Sequence, residues 1–243
     1  MNIIKLNAID STNEFLKRLK RETPLIDFTV VTAEFQTKGK GQMDTVWDSE
    51  SGKNLMVSVL KKLDHLDVSL QFYISIATSL AVYKTLKQFI PEKLAVKWPN
   101  DILSDNYKIA GILIENSVTG HQISNTIIGI GINVNQLNFS SAIQKVTSLQ
   151  LLLKAEVNRD LVLNLLLINL ENELSRVIQY DFEALKNEYE SLLYKKGIPT
   201  MFEDHRNSKF AGIIKSVSES GKLTVEIENN GLKSFSLKEI KFL

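Results

Sequence analysis

Cysteine is absent from the 243 residues. That excludes a disulfide framework, thiolate metal sites and thiol nucleophiles, and it agrees with a reducing compartment. Histidine is scarce: His65, His121 and His205 lie far apart, and no pair has the spacing of a zinc motif. Neither charge sign is in excess, since 29 basic and 28 acidic side chains leave a formal charge of +1. A chain so balanced has no global attraction to nucleic acid or an anionic membrane, so any charge-based recognition is local. Long apolar runs are also missing. The most apolar stretch, "LVLNLLLINL" at 161 to 170, is short and interrupted by Asn164 and Asn169. The N-terminal "MNIIKLNAID" lacks the basic start and cleavage site of a signal peptide. These absences predict a cytoplasmic protein that does not enter a membrane.

What is present is a chain long enough for one large domain with a small appendage, with the 44% hydrophobic content of a folded protein. Residues 2 to 9 read as a strand, and "STNEFLKRLKRE" reads as a helix in which Ser11 and Glu14 have the spacing of a capping box. "FTVVTAEF" is a strand rich in β-branched residues. Residues 36 to 54 follow as a polar, glycine-containing loop whose length marks it as functional. "LMVSVL" resumes a strand, and 69 to 89 places apolar residues at helical spacing until Pro91. The stretch from 96 to 135 reads as neighbouring strands with turns at "SDN" and at Thr119-Gly120. Two helices are predicted over 159 to 178 and about 181 to 194. From Ile198 the texture becomes short alternating strands, with hairpin signals at Ser220-Gly221 and Asn230-Gly231. We place a domain boundary there, giving units 1–196 and 197–243, the second a small β-barrel packed on the first.

Four motifs bear on chemistry. "GIGIN", with Gly129, Gly131 and Asn133, lacks the third glycine and following helix of a dinucleotide fingerprint; its glycines in a strand fit a ligand wall, a bulge or tight sheet packing. "KGKGQ" at 38 to 42 lacks the Lys-Ser or Lys-Thr pair of a Walker A loop, which leaves a phosphate cradle or a solvated loop. Trp47 is either a local anchor or a platform for a flat ring. "VKWPND" carries more. Pro99 cannot donate to a ladder and makes the chain turn after Lys97, which brings Asp101 to a strand end, and Lys108 returns toward it across a turn. Two lysines around one carboxylate exceed what neutralisation needs, and an anionic ligand resolves the imbalance.

Taken in order, "DSTN", "GKGQMDTVW", "GKNL", "VKWPND", "KIAGILIE" and "GIGINVN" resemble the motif set of the biotin protein ligases. The resemblance runs from Asp10 to Asn135, and the C-terminal part looks like that family's SH3-like domain. It implies an α+β fold: a mixed β-sheet of the class II synthetase-like kind with helices on one face, plus the small SH3-like barrel. It further implies ATP and biotin as substrates, Mg²⁺ on the polyphosphate, and a biotin carboxyl carrier domain of acetyl-CoA carboxylase or a related carboxylase as partner. By resemblance, Ser11, Thr12 and Gln36 hydrogen-bond the ureido head of biotin, with Asn13 beside them, and Gly111 and Gly131 leave room for the ligand against the sheet. Lys108 contacts the biotin carboxylate and the phosphate, Lys97 and Lys40 support the phosphates, and Asp101 orients Lys108, the metal or the incoming amine. Gly39, Gly41, Gln42 and Asn54 belong to the same binding motifs, Trp47 packs on adenine, and Asn133 lines the nucleotide pocket.

Two departures from the family pattern stand out. The arginines common in its glycine loop are Lys40 and Gln42 here, and a common glycine is Asp44. Glutamine keeps hydrogen bonding but no charge, which weakens the grip expected on an adenylate. With Ser11 so near Met1, the resemblance also implies a monofunctional ligase without a DNA-binding role. It leaves a monomer and a sheet-extended dimer open. A lipoate or octanoate ligase and a non-catalytic biotin sensor are the competing readings. The loop over 37 to 54 is expected to close over bound ligand and shield it from water.

Overall fold

The computed structural model describes residues 2–42, 45–140 and 145–243, with the backbone alone for 64 and 65. Asp44, singled out above, lies outside the described residues. A seven-stranded sheet has the order β1-β2-β3-β7-β6-β5-β4. Its strands are β1 (Asn2–Ile9), β2 (Thr29–Gln36), β3 (Leu55–Asp67), β4 (Leu94–Lys97), β5 (Asp101–Ser104), β6 (Tyr107–Thr119) and β7 (Gln122–Ile132). β1 and β2 are parallel and joined by helix α1 (Thr12–Glu22); every other neighbouring pair is antiparallel. The sheet is therefore mixed, as expected.

Both faces are covered, and the burial pattern shows why. On one face α1 sets Leu16 against Val31, Leu60 and Ile127. On the other, α2 (Phe72–Lys87) is buried on nearly all sides, between the sheet and helices α4 (Arg159–Ile178) and α5 (Phe182–Ser191). Helices α2, α4 and α5 lie on one face and α1 on the other. A helix apolar all round belongs in such an interior position. α4 starts where the sequence predicts, since Asn158 accepts a hydrogen bond from Leu161 N–H at 3.1 Å.

The capping box at α1 does not form. Ser11 occupies the N-cap position in extended conformation, but its side chain makes no capping bond, and Glu14 reaches Lys17 and Lys40 instead. The hydroxyl is left for another purpose. A five-residue helix, α3 (Leu149–Leu153), was not expected; Ser148 caps it.

Residues beyond Gly197 form a five-stranded antiparallel sheet in the order β11-β10-β9-β8-β12. Its strands are β8 (Pro199–Asp204), β9 (Lys209–Val217), β10 (Leu223–Ile227), β11 (Gly231–Phe235) and β12 (Ile240–Phe242). The two predicted glycine turns join β9 to β10 and β10 to β11. This sheet is fastened to the corner after β4 by Trp98 Nε1, which donates to the Gly221 carbonyl at 2.9 Å, and to α5 by Val217 N–H, which donates to the Glu190 carboxylate at 2.9 Å.

Candidate active site

Sheet register builds the site. Met56, Gly131, Gly111, Asp101 and Lys97 are successive cross-strand partners over β3, β7, β6, β5 and β4. Directly paired residues share a face. The row therefore runs from an apolar end, across two adjacent glycines, to a carboxylate and a lysine. It lies on the α1 face, because the neighbouring row places Gly129 against Asn13 of that helix.

Lys108 joins this row through a bulge. Ile102 pairs with Ala110 but Leu103 pairs with Lys108, so Ile109 is an extra residue in β6. In a regular strand Lys108, three positions from Gly111, would face away from it. The bulge sends Ile109 into the α2-side core and turns Lys108 onto the pocket side, a known use of bulges beside functional sites. Lys108 Nζ then sits 2.7 Å from the Asp101 carboxylate.

A cavity of about 420 Å³ stands on this row, within the usual size range of small-molecule sites. Ser11, Thr12, Asn13 and Gln36 close one end. There Gln36 Oε1 accepts from Thr12 N–H at 2.8 Å and from Thr12 Oγ1 at 3.0 Å. Ser58, fully buried in β3, lies 2.7 Å from Thr12 Oγ1 and 2.5 Å from Asn13 Oδ1. Asn13 Nδ2 donates to Glu115 at 2.8 Å, and Glu115 is held by Lys17 at 2.5 Å. The result is a preorganised polar wall. Sequence reasoning missed Ser58, although a lone hydroxyl in the apolar "LMVSVL" was a visible signal.

The opposite end is cationic. Lys40, Lys97, Lys108, Lys238 and Lys241 line the cavity, against Asp101 as the one carboxylate on the described lining. Lys40 is bound to Glu14 at 2.8 Å and Lys241 to Glu203 at 2.5 Å. Hydrogen bonds from Lys40 and then Lys17 hold Glu14 below its ordinary carboxylate range, against burial. Lys97 and Lys238 have no ion-pair partner among the described residues. Burial lowers the Lys97 pKa and Asp101 opposes this, while Lys108, Lys145 and Lys195 add to the lowering. Lys241 and Phe242 come from β12 of the C-terminal sheet and Lys238 from the turn before it, a region that no motif had tied to the site.

Trp47 lies directly on the glycine floor. A Cβ on Gly131 would stand 2.4 Å from its ring and one on Gly111 3.0 Å, so the two glycines are what admit a flat group here. Lys108 Nζ is 5.5 Å from the indole centre, and Trp47 Nε1 is buried without a hydrogen-bond partner among the described residues. Beside it the described residues 39–41 and 45–47 are bonded to each other: Trp47 N–H donates to Gly39 O at 3.0 Å and Gly41 N–H to Thr45 O at 2.7 Å. Lys40, Gly41 and Gln42 reach the cavity, whereas Gly39 shapes the loop behind them.

Two expected residues are placed elsewhere. Asn54 is fully buried; its side chain donates to Ser49 Oγ at 3.0 Å and Gln136 at 2.5 Å and accepts from Val134 N–H at 3.0 Å. Asn133 donates to the Thr147 carbonyl at 3.0 Å. Neither lines the cavity; both spend their amides on buried backbone and side-chain partners that pin the ends of β3 and β7.

Such a pocket, polar at one end, floored by glycine and lined at the other by five lysines, two of them without an ion-pair partner among the described residues, suits a small acid meeting a phosphate. Residues 6–133 match the biotin/lipoate A/B protein ligase family. The chain is 30% identical over 217 residues to the bifunctional ligase/repressor BirA of Bacillus subtilis, covering 88% of this chain and 66% of that protein, just under two thirds of its length. It is 28% identical over 222 residues to the biotin–[acetyl-CoA-carboxylase] ligase of Mycobacterium tuberculosis, covering 89% and 80% respectively. The fold matches the biotin protein ligase of Aquifex aeolicus in complex with biotin and ATP, with a TM-score of 0.81, 28% identity and coverage of 100% of this chain and 98% of that one. The chain belongs to the biotin/lipoate A/B protein ligase family. The Mycobacterium and Aquifex proteins to which it is similar are both biotin ligases.

Proposed function

We infer that this chain activates biotin with ATP and transfers it to a lysine of a carboxylase carrier domain. The observation that carries the reading is the register row ending in Asp101 and Lys97, with Lys108 turned onto it by the β6 bulge. A carboxylate is a poor acyl donor. One of its oxygens attacks the α-phosphorus of ATP, the bond to pyrophosphate breaks, and biotinyl-5'-AMP forms. The carrier lysine amine then attacks the acyl carbon, AMP leaves with the bonding electrons, and the amine proton passes to solvent.

In this reading Ser11, Thr12, Gln36 and Asn13 hold the ureido head, whose polar atoms would otherwise lie unpaired. The acyl chain lies on Gly131 and Gly111, and the Trp47 indole moves from that floor to pack on adenine. Lys108 stabilises the charge that develops between carboxylate and phosphate, while Asp101 fixes its ammonium. Lys97 and Lys40 meet the phosphates, for which Lys40 leaves Glu14. Residues 197–243 act as a separate unit that closes the cationic end.

Mg²⁺ belongs with the polyphosphate. Among the described residues no three metal-ligating side chains converge, and Asp101 is engaged by Lys108. That donor set fits an ion held mainly by phosphate oxygens and water with at most one protein carboxylate, where it would neutralise polyphosphate charge.

Exchange of labelled pyrophosphate into ATP tests the reading. Exchange that depends on biotin supports it. Exchange with lipoate but not biotin makes the chain a lipoate ligase, and biotin binding without exchange makes it a sensor; either result overturns it.

A further inference from the structure

Lys97 has an unusual status in the cavity. It is half-buried, it sits beside Asp101 in register, and yet that carboxylate is taken by Lys108 at 2.7 Å. What faces its ammonium instead is an aromatic ring: Nζ lies 5.4 Å from the centre of Phe242 in β12. Phe242 is itself packed on two sides, by a ring of its own sheet and by a ring of the segment after α5. Across the β12–β8 ladder it pairs with the fully buried Phe202, at a ring separation of 5.2 Å. Phe202 in turn stacks on Phe210, and Phe210 on Phe235, each at 5.7 Å. On the other side Phe242 lies 5.9 Å from Tyr194, whose N–H donates to the Val96 carbonyl at 2.8 Å, one residue before Lys97.

A ring face and a carboxylate do different things to an ammonium. The carboxylate neutralises it and competes with any arriving anion, whereas the ring quadrupole attracts the cation without cancelling its charge. A lysine stem left to itself also loses rotamer freedom when a ligand fixes it. A ring that already holds the stem in place removes part of that loss.

We propose that Phe242 is a positioning residue, through which the C-terminal sheet holds the Lys97 ammonium charged, unpaired and aimed into the cavity for the polyphosphate of ATP. The proposal rests on the reading of Lys97 as a phosphate contact. It gives the C-terminal sheet a part in nucleotide affinity that needs no polar group from that sheet.

The test is steady-state pyrophosphate exchange by the full chain carrying Phe242→Leu, Phe242→Tyr and Lys97→Ala, with the Lys97→Ala/Phe242→Leu double variant. Phe242→Leu is expected to raise KM for ATP about 3- to 10-fold, the range of a partly desolvated cation–π contact, with KM for biotin unchanged. Phe242→Tyr, which keeps the ring, is expected to restore the wild-type KM. In the Lys97→Ala background Phe242→Leu should add nothing. Equal effects of Phe242→Leu with and without Lys97, or a parallel rise in both KM values, overturns the proposal and leaves Phe242 a packing residue. If Lys97→Ala leaves KM for ATP unchanged, the phosphate reading of Lys97 fails first, and the proposal with it. A second measurement needs no active variant: in protein labelled with ¹³C at lysine Cε, the Lys97 resonance, assigned by its loss in Lys97→Arg, should show an upfield ring-current shift in its attached protons. An unshifted Lys97 resonance contradicts the contact directly.

Discussion

At the scale of single residues, the cavity turns on which lysines are neutralised. Lys108 has Asp101, Lys40 has Glu14 and Lys241 has Glu203, so Lys97, like Lys238, has no ion-pair partner among the described residues, and Lys97 is partly desolvated as well. Its pKa lies below the ordinary 10.5, because burial and the nearby Lys108, Lys145 and Lys195 outweigh the pull of Asp101. The sign follows directly. A lowered lysine pKa means that charge is lost earlier as pH rises, so kcat/KM for ATP should fall on the alkaline side with a midpoint below 10.5. Lys97→Arg, which stays charged, should move that limb upward; an unmoved limb assigns it to another group. Lys97, Asp101 and Lys108 were legible in the sequence because charges within an apolar strand pair demand a reason. Ser58 was not, since its role depends on α1 delivering Thr12 and Asn13 to it across 45 or more positions.

At the scale of elements, β6 and β7 carry the design. Their glycines face each other in register, Gly111 with Gly131, and leave a floor without side chains. The sequence left Gly129 and Gly131 open between a ligand wall, a bulge and tight packing, and the structure has close approach at both. Gly129→Ala would press on the Asn13 amide at 2.5 Å, and Gly131→Ala on the Trp47 ring at 2.4 Å. Since Trp47 sits on a loop and can yield, Gly131→Ala is expected to fold, to expose Trp47 with a red-shifted emission, and to weaken biotin binding about tenfold or more. Binding of biotin at wild-type strength by that variant would remove Gly131 from the floor. Helices and strands with clear periodicity were readable, down to the Asn158 cap of α4. The extent of β3 beyond Leu60 was not, because Lys61 and Lys62 break the apolar pattern while Asp27 engages both residues. The β6 bulge was invisible as well, since a bulge is a property of two strands and not of one.

At the scale of the whole molecule, the cavity lies where two sheets meet, and no local pattern reports such a meeting. More than a hundred residues separate Trp98 from Gly221, yet the indole N–H closes on that carbonyl beside the active-site corner. Trp98→Phe keeps most of the apolar volume and removes this one bond, so stability should fall by about 1 kcal/mol and Tm by about 2–4 °C. A thermal unfolding scan checks it, and an unchanged Tm would mean that the bond adds nothing net. Because the C-terminal sheet meets the larger one here, the cationic end carries Lys238 and Lys241 beside Lys97 and Lys108. The most direct measurement on the whole molecule is the mass of a carboxylase carrier domain after incubation with the chain, biotin and ATP. Wild-type protein should add one biotinyl group at one lysine only when ATP is present, and Lys108→Ala, folded by circular dichroism, should do so at least about 10²-fold more slowly. Modification at an undiminished rate by Lys108→Ala, or none by the wild type, would contradict the assignment of this pocket to biotin activation.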